Sequence, residues 1–324
     1  MTTTEAREEL ELCPGDTGPD DVLVLRPRDV PLGGPRAMTV RRTLPHRERS
    51  FVGAWCFVDH YGPNDTSSGG MDVPPHPHTG LQTVSWLFAG EVEHRDSAGA
   101  HALIRPGEVN LMTAGQGIAH SEVSTASTRM LHGVQLWVVL PSADRGVDRA
   151  LQHHAAPLVG LLPGVRGRVF LGSLAGKTSP VATFTPLLGA ELHLEPGRHV
   201  LPVDATHEHA VLVDTGSLDL QGATLAPGDL GIVDRGCAEL VLGVHEPSRV
   251  LLLGGTPFEE EVVMWWNFIA GSHEEIVRIR QQWQQRSERF GEVPGYTGHT
   301  MRLDAPPLPN ARLRARGRGG RSAR

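Results

Sequence analysis

The chain has 324 residues, a formal charge of −7, and 39% hydrophobic residues alongside 38 Gly and 25 Pro. That length suits two ordinary domains better than one core, and the net acidity argues against a dedicated nucleic-acid binder. Turn-forming residues at this density point to many short strands and away from a helical bundle.

The first twenty residues carry Glu-Glu-Leu-Glu-Leu and several Asp, with no apolar run behind a basic start. They are expected to be a disordered acidic segment and not a signal peptide, and no later stretch is long enough to cross a bilayer. Cys13, Cys56 and Cys237 are far apart and form no CxxC pair, so a reducing cytoplasm is the expected location. Asp59-His60 precedes a Gly-Pro turn, where Asp59 is expected to hold a loop through local backbone hydrogen bonds.

Next comes Pro74-Pro75-His76-Pro77-His78. Its prolines keep the backbone extended and deny it ladder hydrogen bonds, as suits an edge strand or a barrel mouth. In an extended strand residues i and i+2 point the same way, so His76 and His78 aim at one spot. The same holds for His120-Ser121-Glu122, which two glycines in Gly115-Gln-Gly117 deliver after a tight turn. Three imidazoles and one carboxylate suit a divalent first-row transition metal and leave positions open for chemistry. His94 and Asp96 lie between these pairs and are expected to be structural or to support the ligands.

The segment from Ser85 through Gly90 and Pro106-Gly107 to Gly115 has a second copy, from Ala210 through Gly216 and Pro227-Gly228 to Gly236. Short strands punctuated in this way predict a jelly-roll or Greek-key barrel, and the duplication predicts two in tandem. Aligning Gly115 with Gly236 sets His120 on Val241 and Glu122 on Gly243, so only the first barrel is equipped for metal. His207 and His209 are too few to make a second cage. His153-His154 falls in the connector and is expected to be solvated, and Gly172 to Thr178 reads as a surface turn. Trp265-Trp266 reads as core or interdomain packing. Ser272-His-Glu-Glu275 has capping-box spacing and opens a helix whose apolar face is Ile276, Ile279 and Trp283, with Gly291 as its stop. From Arg312 onward the chain is Arg-rich without acids and is expected to be a solvated tail open to non-specific contact with nucleic acid or an acidic partner.

Several of these motifs resemble the pirin family of the cupin superfamily over roughly residues 20 to 300. They are Pro75-His-Pro-His78, His94-Arg-Asp96-Ser97, the run from Met112 to Glu122, Gln135-Leu-Trp-Val-Val-Leu-Pro141, and Met264-Trp-Trp-Asn-Phe268 leading into His273-Glu-Glu-Ile276. The resemblance implies an all-β bicupin, with two tandem jelly-roll barrels and a C-terminal helix packed on them. The expected divisions are 1–20, a metal-bearing barrel over 21–141, a connector with the first strands of the second barrel over 142–180, a barrel plus helix without metal over 181–300, and a tail over 301–324. It implies one Fe2+, or another divalent transition metal, on His76, His78, His120 and Glu122. It further implies quercetin 2,3-dioxygenase activity, with O2 and a small aromatic as substrates, or a redox-sensing regulatory role through a protein partner. Many cupins have Glu four residues after His78, where this chain has Gln82, so Glu122 is left as the carboxylate at the metal and the candidate base.

Overall fold

The structure, a computed structural model, describes residues 21–31, 38–67 and 70–321. It contains two barrels of the same build. In the first, a seven-stranded antiparallel sheet runs, in spatial order, Ala150–Ala155, Glu108–Thr113, Leu81–Ala89, Met130–Val139, Trp55–Asp65, Thr39–Leu44 and Arg28–Pro31. Against it stand the four strands Asp72–His78, Ile118–Ser124, Val92–Asp96 and His101–Ile104. The second barrel again sets seven strands, centred on Glu208–Thr215, Ser248–Gly255 and Leu187–Leu194, against four, Gly197–Pro202, Glu239–Val244, Leu218–Leu220 and Ala223–Leu225. The expected tandem of jelly-roll barrels is the fold that forms.

Two strands fall on the other side of the expected divisions. Val22–Leu25 pairs with Leu230–Val233 and so belongs to the second barrel. Ala150–Ala155, with His153 and His154, pairs with Glu108–Thr113 and so closes the first barrel instead of lying in a connector, with His153 exposed as expected and His154 half-buried. Each borrowed strand covers a sheet edge that would otherwise show unpaired N–H and C=O groups. The acidic segment 1–20 lies outside the described residues.

The large sheets meet each other, so strands such as Leu81–Ala89 are buried on both faces. Trp86 stacks on Phe170 with ring centroids 4.5 Å apart, and its indole N–H donates to Glu191 at 2.8 Å. At Gly53 (φ +51°) the two backbones come so close that a Cβ would lie 2.7 Å from the Cα of Gly255. A polar bridge joins the barrels nearby: His60 Nε2 and His132 Nε2 both point at Asp214 Oδ1, at 2.8 and 2.7 Å, and Arg249 donates to Oδ2 at 2.6 Å. These three ligand-type residues lie close enough to share a cation. The guanidiniums of Arg249 and Arg41 beside them already supply positive charge, so the cluster is read as an inter-barrel bridge.

The helix spans His273–Gln284, with Ser272 Oγ accepting from the Glu275 N–H and Ile276, Ile279 and Trp283 buried, as expected. It ends before the expected stop: Gln285 caps it and Arg286 takes the left-handed turn at φ 57°. The tail is a larger correction, because residues 301–321 pack along the body. Leu303 N–H donates to Pro75 O at 2.9 Å, Trp283 donates to Leu303 O at 2.9 Å, and Ala305 is buried. Arg312 pairs with Glu274, and Arg318 reaches the fully buried Glu208 together with Asp234. Two of the arginines that composition assigns to solvent, Arg312 and Arg318, therefore answer particular carboxylates of the same chain. Residues 322–324 lie outside the described residues. Among the described residues, no helix is long and apolar enough to cross a membrane.

Asp214→Ala should lower unfolding stability by about 3 kcal/mol, because it strands two imidazoles and a guanidinium at the interface. Chemical denaturation measures this directly. Burial holds His60 below its ordinary pKa, and this outweighs the raising effect of its hydrogen bond to Asp214. Its stabilising contribution is therefore complete above the unfolded-state value near 6.5 and is lost as pH falls below it. The denaturation midpoint should drop between about pH 7 and pH 5, and a His60→Asn variant should show a shallower drop.

Candidate metal centre

The strands Asp72–His78 and Ile118–Ser124 are neighbours, with His76 directly opposite His120 and His78 opposite Ile118. Directly opposed residues share a face. The register slips between His120 and Glu122, so Glu122 comes opposite Val73. Pro74 and Pro75 occupy the slip, where two residues without N–H groups interrupt the ladder. On its other side Ile118–Ser124 pairs with Val92–Asp96, which puts Asp96 opposite His120 and His94 opposite Glu122. One inward face therefore carries His76, His78, His120, Glu122, His94 and Asp96.

The ligand atoms of His76, His78 and His120 all lie within 4.8 Å of one another, and so do those of His94, His120 and Glu122. The four residues expected to bind metal line one cavity of about 430 Å³. Each imidazole is held from behind. His76 Nδ1 is 2.8 Å from Pro74 O, and His78 Nδ1 is 3.2 Å from the main-chain oxygen of Asn267. A carbonyl can only accept, so both Nδ1 atoms carry the proton and both Nε2 atoms keep a lone pair.

His120 is set by a longer chain. Asp96 Oδ1 accepts the N–H groups of Ala98 and Ala100, and Oδ2 lies 3.0 Å from His94 Nε2. His94 thus donates from Nε2 and offers Nδ1 to His120 Nδ1, 3.4 Å away. His120 Nε2 is left buried with no hydrogen-bond partner, a cost that a cation would remove. Burial pushes His76 down to about 4 and holds His78 and His120 well below the ordinary histidine value, so all three are neutral donors at neutral pH. Burial raises Glu122, against the lowering effect of His94 and of a hydrogen bond from Ser85. The donor set suits a divalent first-row metal, and the residues present fit it.

The rest of the cavity comes from segments that the sequence does not tie to the metal, although Gln135 and Trp137, and Trp266 and Asn267, lie in two of the motifs named above. On the opposing sheet Arg42, Asp59, Gln135 and Ser85 form one cross-strand row. Arg42 holds Asp59 with two bonds of 2.6 and 2.8 Å, so Asp59 binds a guanidinium and not the loop backbone expected of it. Phe57 and Trp137 form the next row and stack 4.1 Å apart. Trp266, Asn267 and Leu303 close the mouth, so Trp266 is a cavity wall as well as packing. Gln82 points elsewhere and donates to Thr113 at 2.8 Å.

In the second barrel Val200 pairs with Val241 and Pro202 with Glu239, the register at which the first barrel pairs His76 with His120 and His78 with Ile118. Valine and proline thus occupy the three imidazole places, with Gly243 at the place of Glu122. His209 lies on a different strand, Glu208–Thr215, and His207 just precedes it.

Asp96→Asn should weaken divalent-metal binding by about 10- to 100-fold while leaving the melting temperature nearly unchanged. Titration of the chelator-treated protein with Co2+ reads the first effect and circular dichroism the second.

Two family models match the chain, "Pirin" over residues 37–138 and "Pirin C-terminal cupin domain" over residues 189–291. A Pseudomonas aeruginosa protein named "Putative quercetin 2,3-dioxygenase" is 42% identical over 284 residues, 87% of this chain and 89% of that protein. A "Pirin-like protein" of Caulobacter vibrioides is 36% identical over 258 residues, 76% of this chain and 88% of its own length. The crystal structure of a quercetin 2,3-dioxygenase from Acinetobacter baumannii superposes with a TM-score of 0.85 at 38% identity, covering 91% of this chain and 97% of that one. With its two matched domains, and imidazoles converging only at the register of the first, this chain belongs to the pirin family of two-barrel cupins.

Proposed function

We propose that this pirin is an iron-dependent oxygenase that uses O2 to cleave a quercetin-type flavonol or a related enolisable aromatic. His76, His78, His120 and Glu122 hold the iron, and other divalent transition metals would also fit this donor set. The observation that carries the reading is a single cavity joining the convergent Nε2 donors to the stacked Phe57 and Trp137. A bound divalent iron would supply a positive centre that polarises a substrate oxygen and orients dioxygen beside it.

The chain's own residues do the rest. Three neutral imidazoles and one carboxylate leave one uncompensated positive charge, so the site favours a monoanionic oxygen donor such as a flavonolate. Phe57 and Trp137, stacked on each other, give the cavity an apolar aromatic side against which a substrate ring can pack. Glu122 takes the hydroxyl proton of the substrate. Ser85 Oγ lies 2.9 Å from Glu122 Oε1 and 3.0 Å from Gln135 Oε1. A hydroxyl has one proton to donate, so the trio works in two settings. With Glu122 ionised, Ser85 donates to it and Gln135 turns its amide NH2 toward Ser85. With Glu122 protonated, the direction reverses and Gln135 accepts. The carboxyl can therefore hold or release a proton without leaving a buried polar atom unpaired. Asp59 needs no such freedom, because Arg42 already compensates its charge.

Iron-loaded protein should consume O2 with quercetin. His120→Ala should abolish turnover, and Glu122→Gln, supplied with excess Fe2+ to offset the lost ligand, should lower kcat per bound iron by about 10²-fold or more. A stoichiometrically loaded protein that turns over no member of a flavonol panel would overturn the oxygenase reading, and an iron-state-dependent protein partner would then take its place.

A further inference from the structure

The carbonyl behind His78 comes from a part of the chain remote from the first barrel. Strands Val263–Trp265 and Phe268–Ala270 pair with Trp265 opposite Phe268, so Trp266 and Asn267 are the two residues of a tight hairpin turn. The hairpin follows the last strand of the second barrel, yet it sits on the metal-bearing strand of the first. Ile269 N–H donates to Thr79 O at 3.0 Å, and Thr79 bridges Phe268 in parallel. At Gly80 (φ +71°) a Cβ would lie 2.3 Å from Ile269 O, so the hairpin presses directly on the residues after His78. Asn267 O, at the apex, lies 3.2 Å from His78 Nδ1.

Two-residue turns of this kind ask for positive φ, which glycine or asparagine adopts at little cost. Here the first turn residue is Trp266 at φ 51°, a conformation that a bulky side chain rarely takes. Trp266 lines the same metal cavity as Phe57 and Trp137. Strained backbone at a ligand clamp persists where the surrounding structure over-determines it.

We infer that the Trp265–Phe268 hairpin is a positioning element of the metal centre: the Asn267 carbonyl fixes the His78 ring, and the Trp266 indole is a wall that selects flat aromatic guests. The first role needs only the metal, and the second rests on the aromatic-substrate reading above. Both roles converge on one turn, so changes at Trp266 can separate them. Trp266→Gly removes the indole but adopts positive φ freely, which keeps the turn and its carbonyl in place. Trp266→Val also removes the indole, and its β-branch resists positive φ, which displaces the carbonyl from His78.

The test uses the full chain, stripped with chelator and titrated with Co2+ while its visible ligand-field bands are followed. Trp266→Gly should bind Co2+ within about threefold of the parent, and Trp266→Val about 10- to 100-fold more weakly. Anaerobic quercetin binding to the Co2+-loaded proteins should be at least about tenfold weaker in Trp266→Gly than in the parent, as expected for loss of an aromatic contact. Equal Co2+ affinity in the Val and Gly variants would overturn the positioning role of the turn. Equal quercetin affinity in the parent and the Gly variant would overturn the wall. A parent that binds no Co2+ would instead sink the metal reading itself, and a loaded parent that binds no quercetin would sink both the substrate reading and the wall.

Discussion

Three imidazoles can share one cation only if each turns a lone pair inward, and what lies behind each ring decides that. Pro74 O and Asn267 O accept from two of the rings, and the Asp96–His94 pair accepts from the third. These acceptors fix the proton on the outer nitrogen of every ring before any metal arrives. Burial then keeps all three rings neutral, so protons do not compete with the cation at neutral pH. Without the acceptors the same residues would be a buried histidine cluster with freely chosen tautomers.

The prolines of the metal strand contribute through what they lack. With no N–H at Pro74 or Pro75, the ladder to Ile118–Ser124 skips and Glu122 comes opposite Val73, while the unbroken register with Val92–Asp96 sets Glu122 beside His94. The Pro74 carbonyl, in the slipped part of the strand, is the one that His76 uses. The local irregularity thus supplies the acceptor that fixes one imidazole's tautomer.

The second barrel shares the architecture but has valine and proline where the first has imidazoles. Its contribution to the site is mechanical: it supplies the face that Trp55, Trp86 and the Asp214 bridge pack against, and its C-terminal extension brings the hairpin and Leu303 to the cavity mouth. Buried charge follows the same economy. Asp59 is met by Arg42, and Glu208 by Arg49 and Arg318, so these two acids removed from water each meet a guanidinium.

Sequence alone was enough for whatever depends on short-range geometry. Alternation of side chains along a strand pairs His76 with His78 and His120 with Glu122, the Gly and Pro-Gly turns repeat, and the Ser272 cap announces the helix. Those rules operate over a few residues, so they can be read without a fold. Tertiary structure decided whatever depends on register and distance. Which strand lies beside which put His94 behind His120 and Ser85 beneath Glu122, exchanged Val22–Leu25 and Ala150–Ala155 between the barrels, and turned a nominally solvated arginine tail into partners for Glu274 and Glu208. It also carried Trp266 from a place in generic packing to the wall of the cavity. Composition cannot report such facts, because a carboxylate or a carbonyl hundreds of residues away leaves no local mark on the side chain it will hold.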